Sequence, residues 1–179
     1  MEIYSPAEDS FFLSEFIQKI IKRKEIKILD MGSGSGIQAQ TCIVSGALPA
    51  NLTLVDINQD AIKHLKIKFP LSKIIHSDLF EKIPNGSKYD LIIFNPPYLP
   101  KNKFDKQEDT TGGKKGDEVI IKFLKKLKDY LNEDGIALLL LSSLTPMSGI
   151  KKEFRRYKTK LLGTKKLFFE ELYVWKIIS

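Results

Sequence analysis

The chain has 179 residues and 20.4 kDa, the size of one ordinary domain with a full hydrophobic core and too small for two. Apolar residues at 42% and charged residues at 28% exclude disordered and fibrous classes; no apolar run reaches the ~18 residues of a membrane span, and the single cysteine, Cys42, excludes an intramolecular disulfide and a cysteine-built zinc site. The 29 basic against 22 acidic residues give +7, which suits phosphate-rich or acidic partners, yet the lysines are scattered through every segment as on an ordinary solvated surface.

Met1 to Pro6 lacks a basic stretch followed by an apolar one, so a cytoplasmic location is expected. Ser5-Pro6-Ala7-Glu8-Asp9 opens a helix, with Pro6 in the first turn, acids near the positive helix end, and Phe11, Phe12, Leu13, Phe16, Ile17, Ile20 and Ile21 at helical spacing. A strand over Ile26 to Met31 runs into Gly32-Ser33-Gly34-Ser35-Gly36, and a helix follows from Ile37 to Ser45. Leu52 to Asp56 is a second strand, Asn58 to Lys68 a helix, Lys73 to His76 a third strand and Asp90 to Phe94 a fourth. The polar stretch 101–116 reads as a loop. Then come a helix over Asp117 to Leu131 and a strand over Ile136 to Leu141 in which every residue is apolar. A helix over Met147 to Arg156 precedes two strands near Lys160 to Leu162 and Leu172 to Ile177. Alternating strands and helices predict an α/β fold, a mainly parallel seven-stranded sheet with helices on both faces. The final pair, joined without a helix, predicts one antiparallel strand.

In such sheets ligands lie beyond the carboxyl ends of the strands, where strand order reverses. Four strand ends here carry chemistry. The first is Asp30-Met31-Gly32-Ser33-Gly34-Ser35-Gly36, whose glycines let the backbone turn sharply and approach a ligand closely. Ile37 stands where the dinucleotide pattern has its third glycine, and no phosphate-gripping P-loop occurs. The second strand ends at Asp56, 20 residues beyond Gly36, where an acid can accept ribose hydroxyls. The third is followed by Asp78 and Leu79, an acid able to accept from an adenine amino group beside an apolar wall. The fourth ends in Asn95-Pro96-Pro97-Tyr98, the most specific feature of the chain. Its prolines fix the backbone and leave the Pro96 carbonyl as an acceptor, the Asn95 side-chain oxygen is a second acceptor, and Tyr98 is a flat wall. Two acceptors suit a planar amino group whose nitrogen is aimed at an electrophile. Cys42 is expected as a packed core thiol, and His64 and His76 in structural or surface roles.

Asp30 to Gly36, Val55-Asp56, Ser77-Asp78-Leu79 and Asn95 to Tyr98 resemble the motif series of class I methyltransferases that use S-adenosylmethionine, in the subgroup that methylates amide or exocyclic amino nitrogens. The N-terminal Tyr4-Ser5-Pro6-Ala7-Glu8-Asp9-Ser10 resembles the entry segment of the HemK-type glutamine methyltransferases, short archaeal and eukaryotic branch, whose target is the glutamine of the Gly-Gly-Gln motif of class 1 release factors. The resemblance spans nearly the whole chain and implies a single Rossmann-like methyltransferase domain over 1–179, with 1–25 as an N-terminal helical segment and 101–116 as a substrate loop. It makes Ser10, Asp30, Gly32, Gly34, Asp56, Asp78, Leu79 and Asn95 cofactor contacts, Asn95, Pro96 and Tyr98 catalytic, and Asn95 to Tyr98 the acceptor cradle, with no metal. Relatives commonly carry threonine in place of Ser10 and glutamate in place of Asp30, changes that keep the hydroxyl and the carboxylate. It also implies a small zinc-binding activator protein as a heterodimer partner, and Lys73 to His76, an expected sheet edge, is the candidate contact strand. Three rivals remain at this point: transfer to adenine N6 in DNA or RNA, transfer to a protein lysine, and a subunit that has kept the fold and lost the chemistry. No recognition domain and no dense basic and aromatic stripe speaks for nucleic acid.

Overall fold

The computed structural model describes Ile3 and residues 5–97 and 116–179. Tyr4, Tyr98 and all of the expected substrate loop except Gly116 lie outside the described residues. Five helices and seven strands alternate as α1 (Glu8–Ile20), β1 (Ile28–Met31), α2 (Ile37–Val44), β2 (Leu52–Asp56), α3 (Gln59–Lys68), β3 (Lys73–His76), β4 (Tyr89–Phe94), α4 (Glu118–Tyr130), β5 (Leu131–Ser142), α5 (Met147–Phe154), β6 (Lys158–Lys166) and β7 (Glu171–Ile178). The strands form one sheet in the order β3-β2-β1-β4-β5-β7-β6. All are parallel except β7, which runs antiparallel to both β5 and β6.

Burial on both faces explains the apolar strands, because each inward position of a doubly covered sheet meets a helix. In β4, Leu91 and Ile93 face a core built with Leu13, Ile17, Cys42 and Leu65 from α1, α2 and α3. Ile92 and Phe94 face the other, built with Ile120, Phe123, Leu124 and Leu127 of α4 and with Ile150 and Phe154 of α5. Leu138 and Leu140 of β5 join the first core while Ala137, Leu139 and Leu141 join the second, so the run is buried from Ala137 onward and Ile136 is half-buried at its start. Cys42 is a fully buried core thiol, and burial pushes its pKa up, as an inert packing residue requires.

The elements differ from the sequence expectation mostly at their ends. Pro6 precedes α1, whose N-cap is Ala7, so the proline lies outside the first turn. Ile26 is buried ahead of β1 instead of pairing within it. β5 reaches back to Leu131, which pairs with Tyr89 across a register shift. β6 runs over nine residues where three were expected, since an edge strand with alternate lysines shows no apolar run to the eye.

β1 lies between β2 and β4, so the strand order turns back at the β1–β4 pair, and Met31 is level with Phe94. That register sets the glycine loop beside Asn95-Pro96. A Cβ on Gly32 would sit 3.5 Å from the Phe94 ring, which forms the floor beneath the loop.

Candidate active site

Backbone geometry and short polar contacts shape the loop after β1. Gly32, Gly34 and Gly36 all have positive φ, at 63°, 50° and 77°. Ser33 staples the loop to the next strand: its N–H donates to the Val55 carbonyl at 3.0 Å, its Oγ donates to the Asp30 carbonyl at 2.7 Å, and the Val55 N–H donates to that Oγ at 3.1 Å. Asp56 adds a second staple. The Gly34 N–H donates to Asp56 Oδ2 at 2.7 Å and the Asn58 N–H to Oδ1 at 2.8 Å. A carboxylate offers about four lone-pair sites, so Asp56 holds the loop and keeps capacity for hydroxyl donors at the strand end. Burial raises its pKa, and the Asn58 and Gly34 amides oppose the rise.

Asp30 sits beneath this loop, 2% exposed, and its Oδ2 is buried with no hydrogen-bond partner. Desolvation pushes its pKa up to about 7, with the charge of Asp56 adding to the rise and the Ala39 backbone amide opposing it. An unpartnered buried carboxylate oxygen is costly, and a cationic group of a ligand would satisfy it. Because the folded state holds the proton more tightly than the unfolded chain, the unfolding free energy falls as pH rises from about 4 to about 7. Thermal unfolding of Asp30→Asn will therefore lie above the unchanged protein at pH 8, and the gap will close toward pH 5. An equal gap at both pH values would remove the titration of Asp30 from the account.

At the end of β3, Leu79 has φ 46°, the one positive φ at a non-glycine position among the described residues. The left-handed turn there is strained for leucine and redirects the chain just past Asp78. Asp78 Oδ2 lies 3.5 Å from Lys122 Nζ on α4, a loose exposed pair. Ser10 is 1% exposed. Its carbonyl accepts from Gln38 Nε2 at 2.9 Å and lies 2.9 Å from Ser14 Oγ, which is also 3.0 Å from Gln38 Oε1 and from Thr41 Oγ1. This buried polar cluster clamps the first turns of α1 onto α2, the helix that the glycine loop opens.

At the end of β4, Asn95 Nδ2 donates to Asp9 Oδ2 at 3.1 Å, while Asn95 Oδ1 is buried and has no partner. Pro96 is buried and Pro97 half-buried behind it. The structure thus brings Asp30, Gly32, Gly34, Asp56, Ser10, Asn95 and Pro96 to one rim of the sheet, with Asp78 and Leu79 at its β3 end. Tyr98 lies outside the described residues. Asp9 had no assigned role in the sequence; its signal is its place in Pro6-Ala7-Glu8-Asp9-Ser10, beside two buried serines, Ser10 and Ser14, on an otherwise apolar helix face. His64 is exposed, and His76 Nε2 lies 2.9 Å from the Ile57 carbonyl. Among the described residues no cluster of His, Cys, Asp and Glu could hold a metal ion, and no helix is long and apolar enough to cross a membrane.

The chain matches the family model of the methyltransferase small domain over residues 9–167. It is 34% identical over 193 aligned residues to a Methanocaldococcus jannaschii protein named as a protein N5-glutamine methyltransferase, covering 98% of this chain and 93% of that one. A Schizosaccharomyces pombe relative, named as the catalytic subunit of an eRF1 methyltransferase, is 30% identical over 164 residues, covering 75% of this chain and 70% of its own. Among solved structures, a chain of the E. cuniculi Mtq2–Trm112 complex, whose stated role is methylation of the eRF1 translation termination factor, superposes with a TM-score of 0.78. It is 24% identical, covers 100% of this chain and 99% of its own, and speaks for the fold alone.

Proposed function

The chain belongs to the methyltransferase small domain family, and from that premise we propose that it is an S-adenosylmethionine-dependent methyltransferase acting on the side-chain amide nitrogen of a glutamine in a translation release factor. The observation that carries this reading is the buried, unpartnered Asn95 Oδ1 at the end of β4, level with the glycine loop and backed by Pro96. The names of its relatives in an archaeon and a yeast support the same acceptor.

The residues present fit the donor. Asp30 has a buried oxygen for a cationic group, Gly32 and Gly34 allow close approach, Asp56 stands at the ribose position, Asp78 and Leu79 at the adenine position, and Ser10 closes the rim. When bound, S-adenosylmethionine supplies a methyl group made electrophilic by its sulfonium. The chain's own task is to present the nucleophile. An amide nitrogen is poor at this because its lone pair is delocalised into the carbonyl. Asn95 Oδ1 and the Pro96 carbonyl would accept the two amide hydrogens, which fixes the nitrogen for in-line attack on the donor's methyl group; the alkylated nitrogen, by then strongly acidic, would give up one proton to solvent water. Orientation of this kind is worth up to ~7–11 kcal/mol in ideal intramolecular cases, enough to be the main term without a strong general base. Pro97 and Tyr98 complete the acceptor cradle.

Asp56→Ala removes a hydroxyl acceptor and frees the Gly34 amide together. Charge-assisted hydrogen bonds contribute about 1.5–3 kcal/mol, so the donor dissociation constant will rise by roughly 10- to 100-fold in titration calorimetry. An unchanged constant would remove Asp56 from the donor site.

The same reading places the protein in the cytoplasm as one catalytic domain paired with a small zinc-binding activator. Among the described residues β3 pairs with β2 alone, its residues are exposed or half-buried, and Ile57, Ile67 and Leu71 on the bordering segments are 64%, 83% and 71% exposed. An open edge rimmed by apolar side chains is what a partner strand would cover. Co-expression with such a partner will raise the soluble yield, whereas a chain fully soluble and active alone would refute the pairing. The activity is tested by transfer of a tritiated methyl group to purified release factor, to the same factor with its Gly-Gly-Gln glutamine replaced, and to DNA and RNA. Label on the glutamine-bearing factor alone is the expected result; label on nucleic acid, or on both factor forms, would overturn it.

A further inference from the structure

Asn95 works only in one of two orientations of its amide. The side chain is nearly the same shape when turned by 180° about its last torsion, and that torsion is soft. In one orientation an oxygen faces the acceptor and receives an N–H. In the other an NH₂ faces an NH₂, and the acceptor is repelled. Asn95 therefore needs a partner that distinguishes its two ends.

Asp9 is such a partner. It is 6% exposed, and its Oδ2 accepts from Asn95 Nδ2 at 3.1 Å across 86 positions of sequence. A carboxylate only accepts, so a turned Asn95 would set oxygen against oxygen. Asp9 is itself held: its Oδ1 accepts from the Ser10 N–H at 2.6 Å in the first turn of α1. The next residue's carbonyl is in turn fixed to Gln38 of α2. A chain of hydrogen bonds thus runs from the helix after the glycine loop, through α1, to the amide at the end of β4.

We propose that Asp9 is a positioning residue that sets the orientation of the Asn95 amide, so that Oδ1 faces the methyl acceptor. The segment Pro6-Ala7-Glu8-Asp9-Ser10 then does more than cover the sheet, because it decides which end of Asn95 the acceptor meets. The kinetic consequence rests on the methyltransferase reading above; the orientation itself does not.

The test is a cycle of four full-length proteins: the unchanged chain, Asp9→Asn, Asn95→Asp and the double variant. Asp9→Asn alone is expected to lower kcat by roughly 10- to 100-fold, less than the ~10²–10³ that deleting an oriented polar group costs because Asn95 keeps its oxygen and loses only its fixed orientation, with the donor dissociation constant changed less than ~3-fold. Asn95→Asp places two carboxylates within hydrogen-bond distance. In that background Asp9→Asn should act in the opposite direction and raise kcat by about tenfold, since a carboxylate at 95 offers an oxygen whichever way it turns and the amide at 9 can donate to it. A merely structural role for Asp9 gives a loss in both backgrounds, and that result would overturn the proposal.

A second readout needs no acceptor. The side-chain NH₂ resonances of Asn95, identified by their disappearance in Asn95→Asp, should exchange slowly with solvent in the unchanged chain and rapidly in Asp9→Asn. Unchanged exchange would refute the orienting contact. If no acceptor is methylated while the exchange rates respond as expected, the fault lies in the assigned activity and not in the contact.

Discussion

Replacing Asn95 with alanine is expected to lower methyl transfer by about 10²- to 10³-fold while raising the donor dissociation constant by no more than a few-fold. The size follows from what is removed. One of two acceptors for the amide hydrogens disappears from a buried site where water cannot replace it with fixed geometry, and deleting a single oriented polar group at a reacting centre costs about 10²–10³ in rate. The alanine variant also removes the Asn95 donor at 3.1 Å from Asp9 Oδ2, so the first turn of α1 loses one polar contact with the end of β4. Donor affinity is largely spared because the glycine loop, Asp30 and Asp56 are pinned by Ser33 and by backbone amides, none of which involve Asn95. Single-turnover kinetics beside calorimetry separate the two quantities. Near-normal turnover would sink the mechanism.

The largest effect on stability is expected at Gly36. It caps α2 with φ 77°, a left-handed conformation costly for any side chain, and a Cβ there would lie 2.3 Å from Phe69 Cε2 and 2.9 Å from Leu65 Cδ2. Phe69 is 4% exposed and Leu65 fully buried, so neither can swing away. Backbone strain of about 1–3 kcal/mol and overpacking of about 1–3 kcal/mol together predict a loss of roughly 4 kcal/mol in Gly36→Ala. For a domain of this size that is about 10 °C in Tm. Gly46 is the internal control, because its φ is 104° and nothing lies within 4 Å of the position a Cβ would take. Gly46→Ala should cost only the strain, about 1–2 kcal/mol. Equal melting temperatures for the two variants would show that the Phe69 contact has no part in the loss.

The architecture was legible in the sequence wherever burial on two faces left a mark. Leu52 to Asp56 coincides with β2, and the apolar run from Ile136 lies inside β5; Lys73 to His76 coincides with β3 although that strand is an edge, because its two adjacent isoleucines mark it. β6 was largely hidden because an edge strand answers to solvent on one side, and its lysines break any run. The site was legible as residue types at strand ends, since the parallel topology alone brings strand ends together. What could not be read were contacts made by folding. Nothing in the order of residues states that Asp9 meets Asn95, or that Asp56, placed by its offset from the glycines as a ribose acceptor, already receives the Gly34 and Asn58 amides. Such pairings depend on how α1 is clamped to α2 and on the register of β1 with β2 and β4, which are tertiary facts.

The place of β7 in the sheet bears on how the protein is made. β7 follows β6 in the chain yet lies between β5 and β6. While the chain is being synthesised, the outer edge of β5 from Ile136 to Ser142 has no neighbour until Leu172 to Ile178 has emerged, and β6 has nothing in the sheet to join. An unpaired edge on so apolar a strand invites pairing with other nascent chains. The ribosome must therefore deliver one late strand before the far half of the sheet can exist at all. Slowing translation between β6 and β7 should raise aggregation, and aggregation unchanged by such a delay would refute this account.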